Sequence, residues 1–189
     1  TDDGPVIEGA IEAANSASRE HPCRVIVLAS GQRRAAARLD AQIRVGGDAG
    51  ASDVIVLRGY GPLAAGEPAA GLVMPLLLPD APVVAWWPGE APAVPSEDAV
   101  GRLAQRRITD ALSAKNPVKA FEQRRAAHVA GDTDLTWTRL TSWRALLATA
   151  LDAPPHEDVT AAVVAGETVS PSTDLLAGWL AARLGVKVK

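Results

Sequence analysis

The stretch Pro82-Val83-Val84-Ala85-Trp86-Trp87-Pro88 constrains the fold of this chain more than any other. It predicts an apolar strand, closed by Pro88-Gly89. Neighbouring residues of a strand face opposite sides of a sheet, so Trp86 and Trp87 point to different faces. Both indoles are buried only if helices cover the sheet on both sides, which asks for a layered architecture. Residues 24–29 (Arg-Val-Ile-Val-Leu-Ala) and 53–58 are further short apolar runs rich in β-branched residues, the pattern of strands covered on both faces. Between them, Leu39, Ala41, Ile43 and Val45 alternate with Asp40, Gln42 and Arg44. That period of two predicts a strand with one wet face, nearer an edge. Only a Gly-rich link, Gly46-Gly47-Asp48-Ala49-Gly50, separates it from the strand at 53–58, so the two are expected to pair antiparallel.

Helical signals alternate with these strands. Ile7, Ala10, Ile11, Ala14 and Ala17 recur at helical spacing over residues 5–20, and His21-Pro22 stops the pattern. Residues 63–78 read as a loop followed by a short buried helix, and 97–105 as another helix before a short strand at 106–110. Asn116-Pro117 is a helix start, with Asn capping free amides and Pro presetting φ. A further helix is predicted over 134–151 with Leu140, Trp143, Leu147 and Leu151 on one stripe. Residues 159–165 read as a strand, and Ser170-Pro171 opens a last helix that Gly185 closes. The fold expected is therefore α/β: one layered, Rossmann-like sheet of mixed parallel and antiparallel strands, helices on both faces, in a single domain over 1–189. Thr1 in place of Met, and strand-like Val186-Lys187-Val188-Lys189, suggest a fragment of a longer chain that lacks N-terminal and C-terminal parts.

No complete catalytic signature is present. With 48% apolar and 22% charged residues the chain can bury a core, and a net charge of -3 argues against nucleic-acid binding. The apolar stretches are too short and Pro-interrupted to span a bilayer. One cysteine, Cys23, excludes an internal disulfide and suits a cytoplasmic setting. The Gly46 to Gly50 run lacks the Lys and Ser/Thr of a phosphate loop and reads as a turn. His21, His128 and His156 have no metal-ligand spacing, and no metal or cofactor is implied. Asp132-Thr133-Asp134 precedes a helix, where carboxylates cap amides. Arg106-Arg107 and Arg124-Arg125 are read as solvated, with anion binding as the alternative.

Five Trp against one Phe and one Tyr is an unusual aromatic balance. Trp137, Trp143 and Trp179 fall on predicted helices, where core packing is the expectation. Trp86 and Trp87 leave two readings, core packing or a contact edge beside the Pro-rich loop to Pro95, since Trp is enriched at binding hot spots.

The segments His21-Pro22-Cys23-Arg24-Val25, Pro75-Leu76-Leu77-Leu78-Pro79-Asp80, the strand ending Trp86-Trp87-Pro88, Arg107-Ile108-Thr109-Asp110, Asp132-Thr133-Asp134-Leu135-Thr136-Trp137 and Leu176-Ala177-Gly178-Trp179-Leu180 together resemble the actinobacterial and cyanobacterial glucose-6-phosphate dehydrogenase assembly protein family, OpcA. The resemblance implies a non-catalytic cytoplasmic protein that binds glucose-6-phosphate dehydrogenase and supports NADPH production in the oxidative pentose phosphate pathway. Cyanobacterial members are associated with thiol control, which a lone Cys23 cannot exert through an internal disulfide. The contact surface expected on this view comprises Trp86, Trp87, Pro88, Arg106 and Arg107. The alternative is a sugar-phosphate-binding α/β protein or enzyme that uses strand-end loops and arginines.

Overall fold

Ile7 and Ile11 lie one helical turn apart, and helix α1 (Gly4–Ser18) lays that face against alternate residues of strand β3 (Val54–Tyr60). The computed structural model describes residues 4–45, 53–154, 156 and 158–189. It divides into two units interleaved along the chain: Thr1–Ala85 with Ser96–Arg106, and Trp86–Pro95 with Arg107–Lys189.

In the first unit β3 is the middle strand. β1 (Val25–Ser30) pairs with it in parallel, Val25 opposite Val54. β2 (Arg38–Arg44) pairs antiparallel on the other edge, Arg44 opposite Val54, as the short Gly-rich link predicts. The link itself lies outside the described residues. Ile11, Val54 and Val56 form the core, with Ile7, Val25 and Val27 packed against it.

Two strands differ from expectation. The apolar run of β1 is an edge strand in which only Ala29 is fully buried. On β2, Arg44 forms a bidentate pair with Glu8 of α1, 2.7 and 2.8 Å. The polar set therefore lies on the helix-covered face, and Ile43, on the opposite face, is 70% exposed. This pairing holds the Glu8 carboxyl below its ordinary value.

At its C-terminal end β3 runs into a tight turn (Gly61–Ala64) and helix α2 (Gly66–Val73), the predicted loop and short helix. The Ser30 hydroxyl donates to the Ala64 carbonyl at 2.7 Å and fixes that turn over the sheet end. A Cβ at Gly59 would overlap the Leu63 carbonyl, so glycine is needed there for close backbone approach.

The segment Ser96–Arg106 does not form the helix predicted for 97–105. The Asp98 carboxylate accepts from the Val100 and Gly101 N–H groups, closing a local turn that competes with helix. A single tight turn (Gly101–Leu103) results. Beside it, the Val83 carbonyl accepts from the Gln105 and Arg106 N–H groups ahead of strand β4 (Val84–Trp86), whose Val84 is 54% exposed rather than covered.

The second unit holds most of β5 (Arg106–Thr109), then α3 (Pro117–Ala126), β6 (Asp132–Asp134), α4 (Leu135–Arg139), α5 (Thr141–Leu151), β7 (Ala161–Ala162), α6 (Pro171–Leu184) and β8 (Lys187–Val188). The predicted caps form: Asn116 accepts from Lys119 N–H, Ser170 from Ser172 N–H, and Gly185 takes a left-handed φ of 67° after α6. Ala111, Ala114 and Ala120 are packed with Phe121.

The helix predicted over 134–151 is broken at Leu140, whose buried side chain anchors the break between α4 and α5. As a result Trp143 and Leu151 are 57% and 43% exposed, and the predicted stripe is not a core face. The strand expected over 159–165 contracts to Ala161–Ala162, parallel to β8. The fold class is α/β with mixed strands, as expected.

Gly59→Ala should lower stability by about 1–3 kcal/mol, the usual range for forcing extra volume into a packed site. Thermal melts of the two proteins measure it, and an unchanged midpoint would show the turn to be more pliant than its geometry.

Candidate partner-binding surface

The ordered polar part of the second unit is built on the register of two strands. β5 and β6 are parallel, and Arg107 lies opposite Asp132 and Thr109 opposite Asp134. Cross-strand partners share a face, so each pair meets through its side chains. Arg107 Nε donates to Asp132 Oδ1 and Arg107 Nη2 to the Ala130 carbonyl. Thr109 Oγ1 donates to Asp134 Oδ2 at 2.7 Å. Asp134 also accepts from the Ala111 and Thr136 N–H groups, and caps α4 through the latter. Capping is what the sequence predicts for this carboxylate, while its role as a clamp on β5 is added by the fold.

Asp110 sits beside this cluster with its side chain 4% exposed. Burial by itself pushes the Asp110 carboxyl up. Two 2.6 Å bonds from the Arg139 guanidinium and one from the Ser113 hydroxyl outweigh burial and hold it below its ordinary value. Arg139 is raised by the same contact.

The expected contact residues separate in this structure. Arg107 is 8% exposed and its guanidinium is committed to Asp132 and Ala130. It is a buried structural arginine, contrary to its reading as solvated, and has no face to offer a partner. Arg124 is likewise buried at 9%, donating to the Ala120 and Ala91 carbonyls with Nε 3.9 Å from Asp134. Arg106 is exposed and belongs to the first unit.

Trp86, Trp87 and Pro88 are half-buried at the start of the second unit's first segment. The Trp86 indole N–H is turned inward, without a hydrogen-bond partner among the described residues. Trp87 N–H donates to the Ile108 carbonyl at 3.0 Å. The loop that follows is pinned: Glu90 Oε1 accepts from Lys115 N–H at 2.6 Å, and the Ala91 carbonyl accepts from Arg124. The Trp-Trp-Pro turn is thus presented on a fixed loop.

The remaining tryptophans are not the core residues expected of them. Trp143 is exposed, and Trp137 and Trp179 are half-buried on α4 and α6. The guanidinium of Arg144 covers the Trp137 ring, 3.6 Å from its centre. Cys23 is exposed. Among the described residues no group of three or more His, Cys, Asp or Glu could hold a metal ion, and no helix is long and apolar enough to cross a membrane.

Residues 14–126 match the family described as glucose-6-phosphate dehydrogenase subunit N-terminal domain, and residues 130–189 match the corresponding C-terminal domain. The chain belongs to this family, OpcA. It is 29% identical over 199 residues to a protein of Synechococcus elongatus named "Putative OxPP cycle protein OpcA", an alignment that takes in 95% of this chain and 43% of that protein. The chain thus spans less than half the length of that relative.

Removing Arg139 leaves the Asp110 carboxylate buried and short of its main partner. Arg139→Ala should lower stability at pH 7 by about 1–3 kcal/mol. Because the Asp110 value is depressed on folding, its contribution is present above the ordinary aspartate value of 3.8 and is lost as pH falls through the folded value. The deficit of the variant should therefore shrink in acid, and urea titrations at pH 7 and pH 3 check this.

Proposed function

We propose that this chain is a non-catalytic assembly factor and activator of glucose-6-phosphate dehydrogenase, working in the cytoplasm to support NADPH supply through the oxidative pentose phosphate pathway. The observation that carries this reading is the consecutive match of two domain families, both described as parts of a glucose-6-phosphate dehydrogenase subunit, over most of the chain. An activator of this kind acts by binding the competent conformer or oligomer of its partner more tightly than the others. The gain is bounded by that difference in affinity, about 1–3 kcal/mol for a typical coupling.

The contact we assign on the second unit is the Trp87-Pro88 turn. Its support is the fixed loop, held by Lys115 and Arg124, which presents a half-buried indole at little ordering cost. Trp86 precedes the turn with its indole N–H directed inward. Arg106, exposed on the first unit, is a separate candidate, and Arg107 is withdrawn because it is buried and ion-paired. The sugar-phosphate alternative loses Arg107 and Arg124 to internal partners in the same way.

The test is a dehydrogenase assay with and without the chain, alongside co-purification of the two proteins. Trp87→Ala should keep its fold and lose binding about tenfold or more, the size expected of a hot-spot indole. Arg106→Ala should weaken binding less, and its loss should fade in high salt. A folded Trp87→Ala variant that binds normally would remove the turn from the contact surface. Absence of any effect of the wild-type chain on the dehydrogenase would remove the function.

A further inference from the structure

Helix α6 is apolar on two sides. Leu176, Leu180 and Leu184 form one stripe, with Leu180 buried at 8%. A second stripe, Leu175, Gly178, Trp179 and Ala182, follows the i, i+3, i+4, i+7 spacing that presents a single face. A helix apolar all round is normally covered all round. Here the second stripe instead lines an open groove of about 600 Å³ within the second unit, walled by Phe121 of α3 and Trp137 of α4.

Gly178 is the informative residue. Glycine inside a helix weakens it relative to alanine, because the unfolded chain has more freedom to lose. Such a glycine is ordinarily explained by a neighbour that leaves no room for a methyl group. At Gly178 a Cβ would meet nothing within 4 Å, and the position is exposed on the groove floor. Among the described residues nothing around it requires glycine. With Ala182 one turn on, it makes a shallow notch where a second helix can approach α6 closely.

The rim is charged. Arg125, Arg144 and Arg183 face it, against Glu122 and Asp174. Arg125 already holds Glu122 at 2.9 Å, which leaves the balance of the rim positive. Trp179 suits an apolar anchor, Trp137 carries the stacked Arg144 guanidinium on its ring, and Arg144 and Arg183 suit carboxylates beside them.

We propose that this groove receives an amphipathic helix of a protein partner, its apolar stripe seated in the Gly178–Ala182 notch between Trp137 and Trp179, with acidic residues toward Arg144 and Arg183. The partner is taken to be glucose-6-phosphate dehydrogenase, so the assignment rests on the function proposed above and supplies a second contact to it. Recognition then follows the helix-in-groove mode, with small residues setting the approach and charge setting the orientation.

The experiment measures binding of the chain to purified glucose-6-phosphate dehydrogenase from the same organism by titration calorimetry. Each variant is melted alone and sized by light scattering. Gly178→Ala should raise the melting midpoint of the free chain, since the methyl group meets no atom, and yet weaken binding severalfold. Gly178→Leu should stay folded and bind at least tenfold more weakly. Arg183→Glu should weaken binding severalfold at low salt, with a difference that shrinks as salt rises. A folded Gly178→Leu variant that binds within twofold of wild type overturns the groove and leaves the proposed function standing. An Arg183→Glu variant that binds as wild type overturns the acidic orientation of the docked helix. If the free wild-type chain is a dimer that Gly178→Leu converts to monomer, the groove belongs to a second copy and the assignment to the dehydrogenase fails. If the wild-type chain does not bind the dehydrogenase at all, both this contact and the function it rests on fall.

Discussion

The carboxylate of Asp134 organises the second unit. It receives the Thr109 hydroxyl and the Ala111 N–H from the end of β5, and it caps α4 through Thr136 N–H. Arg124 of α3 approaches it from a third direction. One residue thereby fixes where β5 ends, where α4 begins and how α3 faces both. This is possible because the parallel register sets Thr109 and Asp134 side by side, and the same register sets Arg107 beside Asp132. Charged groups buried this way need every partner in place, since a half-satisfied polar cluster is costlier than an apolar one. Arg107, Thr109, Asp110 and Arg124 fall within the segment matched by the N-terminal family, and Asp132, Asp134 and Arg139 within the C-terminal one. The cluster is where those two segments are joined chemically.

Local chemistry was legible and long-range chemistry was not. Asn116-Pro117, Ser170-Pro171 and Gly185 act within a few residues of themselves, so their roles as caps can be read directly and all three form. The β2–β3 pairing also needs only a short connection and a period-two pattern. By contrast, a continuous apolar run does not say whether its strand is central or at an edge, and β1 lies at an edge. The break at Leu140 has neither Pro nor Gly to announce it and comes from burying that leucine, which then turns Trp143 and Leu151 outward. Arg107 reads as a surface residue because its acid lies 25 positions away along the chain. Only strand register brings them together, and register between β5 and β6 is set by packing that no local pattern encodes.

The same distinction governs the surface. Tryptophan on a helix is expected inside, but helices in this unit are short and only partly covered, and Trp137, Trp143 and Trp179 retain exposure. Large aromatic side chains carry much contact area on few rotatable bonds, which suits them to recognition. The Trp87-Pro88 turn is held in a different way, through a backbone bond to Ile108 and a loop tied down at Glu90 and Ala91. Residues that look alike in composition are thus positioned by unrelated means: one set by incomplete helix packing, the other by strand and loop hydrogen bonds.

The interleaving of the two units has a consequence for synthesis on the ribosome. The first unit lacks Ser96–Arg106 until that stretch has emerged, by which time Trp86–Pro95 is already outside the exit tunnel. The residues that hold this nascent segment, Ile108, Lys115 and Arg124, are all translated later. At a translation rate of about 5–20 residues per second, two indoles and a Pro-rich loop wait on the order of seconds for their partners. During that interval the segment lacks the bonds that later fix it, and a pause in translation there would lengthen the wait of the same residues that later form the turn.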